Sequence, residues 1–596
     1  MNMSHKHLSL LVLSLVLVPF GGCAVKEQPT DLKVSELQLV DGANLYDVEA
    51  AGSRIEGISF YTSGAWRTTV SGTVDKGWIN LDPRSGSEAG THSMTITLSR
   101  NDSGKERSAG VTISCGDAPE IKLTLRQACF PRINTQSLSV TSPKLGTSRA
   151  NPLVDFIFCA DPTAITYGDR LYVYGTNDHQ QYELSSENTY EKIKSLVMLS
   201  TDDLVNWTYH GTIPTADIAP WIVASWAPSV VCRRMEDGSE RFYLYFSNSG
   251  WGVGVLQSTS PVGPWTSPLS TSLIDGNNET VKGSGNIFDP GAVIDDGGNG
   301  WLAFGNTQGW LARLNPDMIS FADPPVKLLS PYHFEANELN YIGGTYVYTY
   351  NNNWSDHTPW TLGGTVPGQC SMVYMKSTSP LAVDSWTYGG MYFKNPGYNG
   401  FGYGNNHTHM HKFQGKWYLL YHTGLLQSAF DTKGGFRSIY MDTIEVDEEN
   451  VSISECLPSH EGVKALKNLN PFESQFASTT AATEGIVFSE TGEEGHVTAQ
   501  VGTPSLTAPK PKVGIIEVRG VDFGQGAKSV TCRVKGTGLV SFRLDDYNGQ
   551  DIVTLSSSGE EWTDRTESCT LDAAGVHTLY IVMEKGIGID TWQFSK

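Results

Sequence analysis

One short pattern returns five times between Asn151 and Cys456: an apolar strand, a polar turn and often a Trp. The copies run through Val197, Val255, Leu311, Val373 and Ile439, roughly 60 residues apart, the size of a four-stranded blade with its loops. A sheet of that size cannot bury both of its faces alone. Stacking neighbours in a ring solves the problem, so five units predict a five-bladed β-propeller over 150–456. In such a ring the innermost strands converge on one axis. A polar residue that begins an inner strand is therefore a site candidate, however far it lies along the chain from the others.

The flanks read as β structure of another kind. Residues 32–128 show short alternating strands, such as Ser93–Leu98 and Gly110–Ser114, between Gly, Asp, Ser and Asn turns. Residues 470–596 repeat the style, with strands at Leu539–Leu544 and His577–Val582. The fold class expected is all-β: a five-bladed β-propeller flanked by two β-sandwich domains. The 62 Gly and 15 Trp fit tight turns and large aromatic cores, and a net charge of -21 repels phosphate backbones and anionic lipid faces. Nucleic acid is thus excluded as a partner, whereas a neutral sugar polymer is unaffected.

Met1–His7 lead into an apolar run from Leu8 to Phe20 and then Gly21-Gly22-Cys23. The run is about 13 residues, short of the ~20 that a spanning helix needs, so 1–22 reads as an export signal. Cys23 behind two glycines resembles a bacterial lipoprotein cleavage site, with 23–31 as a linker. That implies an exported outer-membrane lipoprotein at the cell surface or in the periplasm, touching the membrane only through its lipid anchor. Eight further cysteines are scattered without a CxxC pair, which argues against zinc and leaves disulfide pairing open. Oligomeric state is not legible.

Three acidic residues stand where inner strands should begin: Asp161 in Ala160-Asp161-Pro162, Asp289 in Phe288-Asp289-Pro290-Gly291, and Glu335 in Phe334-Glu335-Ala336-Asn337. Cleaving a glycosidic bond requires an acid for the leaving oxygen and a carboxylate for water or for the sugar. A third carboxyl can hold the acid's proton by like-charge repulsion. One Asp-Pro alone is an ordinary turn starter. Three such sites in separate blades of one ring are a constellation.

Over Asn151 to about Val451 these motifs resemble glycoside hydrolase family 43. The resemblance implies Asp161 as general base, Asp289 as modulator of the acid's pKa and Glu335 as general acid, with inversion and a carboxyl separation of roughly 6.5–9.5 Å. Ser225-Trp226-Ala227-Pro228 and Asn405-Asn406-His407 match further family segments, placing Trp226 and His407 at the substrate. Relatives often hold calcium near that His; none is required here, but an ion beside His407 is an expectation. Gly434-Gly435-Phe436-Arg437-Ser438 resembles a segment of arabinoxylan-debranching relatives, and Arg437 is expected on sugar hydroxyls, because contact with Glu335 would oppose its acid role. Trp66, Trp78, the Pro83–Gly90 turn and Gln127 resemble the BACON domain. Val521–Gly524, Trp562 and Ile589–Phe594 resemble family 6 carbohydrate-binding modules, with Trp562 as the stacking aromatic.

The function this implies is an inverting, exo-acting α-L-arabinofuranosidase on plant cell-wall arabinoxylan or arabinan. β-Xylosidase and endo-arabinanase are the enzymatic alternatives, and a non-catalytic surface glycan-binding lipoprotein is the alternative of another class. The last sandwich is expected to be separable, so that trimming after about Val463 spares hydrolysis of small aryl glycosides.

Overall fold

The computed structural model describes residues 34–596, save 73–76, 102–103, 130, 137, 491–494 and 571–572. The export signal, the linker and Cys23 lie outside the described residues. Two compact units divide the chain, Met1–Phe130 and Pro131–Lys596.

In the first unit one sheet orders Leu37–Asp41, Ser53–Thr62, Gly90–Leu98 and Ile79–Asp82. The other orders Leu45–Val48, Ile121–Gln127, Arg107–Cys115, Trp66–Gly72 and Ser85–Gly86. Alternation does the folding here: every second residue of Ile121–Gln127 is buried, which gives each sheet one apolar face. Trp66 and Trp78 are core residues of this sandwich.

The second unit contains the propeller. Its first four blades have four strands each, and their innermost strands are Ala160–Tyr167, Trp226–Arg234, Gly291–Ile294 and His333–Ile342. The fifth has three, beginning with Thr408–Phe413. Each innermost strand packs beside the next and the fifth beside the first, so the ring closes. The repeat seen in the sequence is the third strand of every blade: Leu196–Thr201, Gly252–Ser258, Trp310–Arg313, Met372–Ser377 and Ser438–Thr443. In the first four blades these strands lie between hydrogen-bonded neighbours on both edges, and in the fifth Ser438–Thr443 pairs on one edge only. Leu196–Thr201 is buried throughout, which is why the run is continuously apolar rather than alternating.

Beyond the propeller, one continuous hydrogen-bonded sheet folds over its own core around Trp592, Phe523 and Phe542. Its long strand Ser529–Leu544 pairs through its first half with Ile587–Ser595 and through its second half with Val576–Glu584. The strand changes partner at Gly536 and Gly538, both with positive φ. A Cβ on Gly536 would meet the Gly586 carbonyl at 2.1 Å, so no larger residue fits this bend.

This sandwich is built into the propeller's flank. Thr479–Thr480 pairs with Trp207 and Thr208 as an extra strand on the first blade. Val497 belongs to the same core as Phe156, Trp207 and Tyr209, with Phe488 and Leu466 packed against it. Residues 131–149 are stitched down as well: Ile133 and Leu145 join Ile515 and Val582 in one cluster, and buried Arg543 donates to the Ile133 carbonyl and the Thr135 hydroxyl. All eight cysteines of the described residues are unpaired.

Candidate active site

Four blades begin with the same backbone irregularity. Asp161, Ala227, Asp289 and Ala336 all have left-handed φ, between 39° and 59°, the first three within two residues of the start of an inner strand and Ala336 at the fourth residue of His333–Ile342. In blades one, two and four the ladder slips there, between Ala160 and Thr163, Trp226 and Ser229, and Glu335 and Glu338. Proline follows in three of the four positions, and a residue lacking an N–H suits a bulge where the ladder bond is already lost. Left-handed backbone at a non-glycine residue costs of order 1–3 kcal/mol, and it persists because the ring holds it from both sides. Gly291 shows how tightly: a Cβ there would lie 2.5 Å from the Glu338 Cα of the next blade.

These bulges bring Asp161, Asp289 and Glu335 to one cavity of about 160 Å³, together with Tyr190, Trp226, Ala227, Phe288, Asn405, His407 and Arg437. The volume equals that of about five waters and is well under the roughly 300–1,000 Å³ of drug-sized pockets, so it suits one sugar ring. A second hollow of about 260 Å³ adjoins it, sharing Tyr190, Asn405 and Arg437 and adding Tyr403 and Gln427.

The three carboxyls sit in unequal surroundings. Asp161 accepts from the Thr176 hydroxyl at 2.7 Å and from Arg437 Nη1 at 2.8 Å. Its backbone N–H donates to His422 Nδ1 at 3.1 Å, while His422 Nε2 reaches the Asn405 carbonyl at 3.0 Å. Burial is the largest single influence and works against ionisation of Asp161, but the Arg437 guanidinium, His422 and His407 together outweigh it and hold the carboxyl well below the usual range. Asp289 accepts from the Ala336 N–H at 2.8 Å and so braces the bulge that carries Glu335. Its own N–H donates to the Ser247 hydroxyl at 2.8 Å. Burial, then the negative charge of Asp161, pushes Asp289 up. Glu335 is raised further, by burial first and then by Asp289 and Asp161. Environment thus separates an ionised carboxylate, Asp161, from a carboxyl that keeps its proton, Glu335, across one cavity. Such a pair can deprotonate water on one side of a bond and protonate the oxygen leaving on the other.

Trp226 forms a wall of the cavity, its indole N–H fixed on the Tyr190 carbonyl at 2.9 Å. His407 stands 3.7 Å from Asp161, and burial lowers it to about 4, so the ring is neutral at neutral pH. Arg437 lines the cavity, but its guanidinium is engaged by Asp161 and by Asp178 rather than left free for sugar hydroxyls. It does not pair with Glu335, in keeping with the argument from acid strength. Trp562 is absent from this cavity; it is half-buried on the strand Asp551–Ser568, its ring edge against Gly588.

Calcium prefers about six to eight oxygen ligands. Among the described residues no group of three or more His, Cys, Asp or Glu is placed to hold a metal ion. The Asp161 oxygen nearest His407 is already taken by Arg437. Among the described residues the side chains around His407 therefore supply no carboxylate cage, and an ion there would be held largely through water.

Sequence reasoning assigned no site role to Asp178, Tyr190 or His422. Asp178 and Tyr190 lie in the connection after Arg170–Thr176, where no motif marks them. His422 is the penultimate residue of the strand Lys416–Thr423 and reaches the Asp161 carboxylate at 3.3 Å, closer than the 3.7 Å of His407. Its signal was present in Trp417–His422, an apolar strand that ends in a titratable ring at the funnel.

A propeller whose axial pit holds one ionised and one proton-bearing carboxyl defines a glycoside hydrolase. The comparisons agree. The model for glycosyl hydrolases family 43 matches residues 150–451, and the BACON model matches 66–128. An arabinoxylan arabinofuranohydrolase of Bacillus subtilis (strain 168) is 33% identical over 517 residues, covering 80% of this chain and 98% of that protein. One from Paenibacillus polymyxa is 30% identical, covering 80% of this chain and 79% of its own. The crystal structure of a Bacillus subtilis arabinoxylan arabinofuranohydrolase in complex with cellotetraose superposes with a TM-score of 0.69 at 30% identity, covering 77% of this chain and 99% of that one. The chain belongs to glycosyl hydrolases family 43. The shared region is longer than the propeller.

Proposed function

We propose that this enzyme is an inverting, exo-acting α-L-arabinofuranosidase that removes arabinose branches from arabinoxylan. Asp161 serves as general base, Glu335 as general acid, and Asp289 keeps Glu335 protonated and positions its strand. Water held by Asp161 loses a proton to that carboxylate as its oxygen attacks the anomeric carbon. Glu335 gives its proton to the glycosidic oxygen, and the bond to the main chain breaks. The observation that carries this reading is the monosaccharide-sized cavity with oppositely biased carboxyls. It fits one terminal branch sugar, and the adjoining hollow at Tyr403 leaves room for the chain that bears the branch. The two relatives that cover 80% of this chain are arabinoxylan arabinofuranohydrolases, which favours arabinoxylan over arabinan. Trp226 and His407 are assigned to the sugar in the pit, and Trp562 to polymer contact by the C-terminal sandwich. We further propose export as a lipoprotein anchored through Cys23.

The test is incubation with arabinoxylan, arabinan and aryl pentosides, with the released sugar identified and its first anomer read by NMR. Arabinose released from arabinoxylan as the β-anomer is expected. Xylose as the main product, internal cuts in arabinan, or initial release of the α-anomer would each overturn the corresponding part.

A further inference from the structure

Asp178 is 0% exposed and lies outside every motif that the sequence offered. It opens the short helix Asp178–Tyr182 in the connection between the second and third strands of blade one. Its carboxylate accepts from the Arg437 backbone N–H at 3.0 Å, from Nε at 2.9 Å and from Nη2 at 2.8 Å. The Asn188 amide donates to the same carboxylate at 2.8 Å, and the Asn188 N–H donates to the Gly434 carbonyl at 2.8 Å. One buried carboxylate therefore ties the connection of blade one to the segment that enters the last strand of blade five. Arg437 Nη1 is left over, and it points at Asp161.

We propose that Asp178 is a positioning residue that sets the general base through Arg437. The guanidinium is planar, so two bonds on its Nε–Nη2 edge fix where Nη1 must lie. Asp161 receives that donor on one carboxylate oxygen and Thr176 on the other, which fixes the carboxylate plane while each oxygen keeps a lone pair for water. Arg437 also lies over the Tyr190 ring, 5.0 Å from its centroid, so the same clamp orders one wall of the cavity. Beyond these partners, the charged and titratable groups facing Asp161 are His422, His407, Asp289 and Glu335. Of all these only Arg437 contacts both Asp161 and Asp178. The proposal rests on Asp161 being the base; wild-type turnover and its loss in Asp161→Asn test that reading beforehand, so the two fail separately.

The experiment measures kcat and KM of Asp178→Asn and Arg437→Lys on two aryl α-L-arabinofuranosides, one with a good and one with a poor leaving group, alongside thermal midpoints. A base displaced by a fraction of an ångström slows the attack of water whatever group departs. The expected result for Asp178→Asn is a fall in kcat of ~10- to 100-fold, by the same factor on both substrates, with KM little changed. Arg437→Lys keeps the charge but lacks the planar fork that grips Asp178 on one edge and aims a donor at Asp161, and it should fall likewise. A folded Asp178→Asn with wild-type kcat, even if less heat-stable, would reduce Asp178 to a structural tie and overturn the proposal. A loss that grows with leaving-group pKa would also overturn it, by placing the effect on Glu335. Should Asp178→Asn fail to fold, Arg437→Lys decides, since wild-type kcat in that variant excludes the clamp.

Discussion

Ending the chain after Lys464 removes the whole C-terminal sandwich, and the packing sets what this costs the propeller. Val497 is buried in the core shared by blades one and five, and Leu466 and Phe488 pack against it. The Phe488 ring sits 4.5 Å from that of Phe156. Full burial of such side chains is worth roughly 1.5–3 kcal/mol each, so one full and two partial burials withdraw about 4–5 kcal/mol. The strand Thr479–Thr480 leaves the edge of blade one as well, exposing the backbone of Trp207 and Thr208. Folded domains hold only ~5–15 kcal/mol in total, so the loss takes a third of the margin or more and lowers the melting midpoint by roughly 10 °C. The assay compares thermal unfolding by circular dichroism with hydrolysis of an aryl arabinofuranoside for the full and shortened chains. Both properties should fall together, or the shortened chain should aggregate through its bared Phe156 and Tyr209 faces. An unchanged midpoint with full aryl-glycoside activity would refute the reasoning and restore the separable module that the sequence suggested.

Glu335→Gln should lower kcat by ~10²–10⁴ without disturbing the circular dichroism spectrum, since volume and burial are kept. Asp161→Asn should lose a similar factor, with a modest drop in melting midpoint, because Arg437 keeps Asp178 but loses its second carboxylate. Asp289→Asn removes a negative charge that raises Glu335, so the acid gives up its proton at lower pH and the alkaline limb of kcat against pH should move acidward; an unmoved limb would separate Asp289 from the acid. Asp289 is itself raised in the folded state, so it binds a proton there that the unfolded chain releases, and it costs stability as pH climbs above the unfolded value. The Asn variant should therefore melt higher than wild type at pH 8, a gap that closes toward pH 4. Gly291→Ala drives a methyl into the Glu338 backbone and should depress both melting midpoint and turnover; a neutral outcome would show that blades three and four can part there.

The propeller was legible because its repeat is a packing requirement: third strands buried on every side must be apolar, and Val197, Val255, Leu311, Val373 and Ile439 were. The carboxyls were legible because each stands in a short motif at the head of an inner strand. Asp178 and Tyr190 were not, since their roles arise where the first and last blades meet, and no local pattern records a neighbour that ring closure supplies. Arg437 was found, but its partners were not, because Asp161 and Asp178 reach it from more than two hundred residues upstream. The sandwich boundary near Asn470 reflects a true change in strand style. Style says nothing about packing, and Val497 with Phe488 fastens the two halves into one body.

The left-handed kink at the head of four blades also has a use in engineering. Only two of those kinks carry a carboxylate, and at Ala227 and Ala336 the ring already holds a backbone shape that aspartate tolerates better than alanine. Their backbones are bent like those holding Asp161 and Asp289; Ala336 packs into a hydrophobic core, while Ala227 stands on the wall of the pit. A designer wishing to seat another acid, or a metal-binding group, beside the sugar would start from Ala227 without having to reshape the chain.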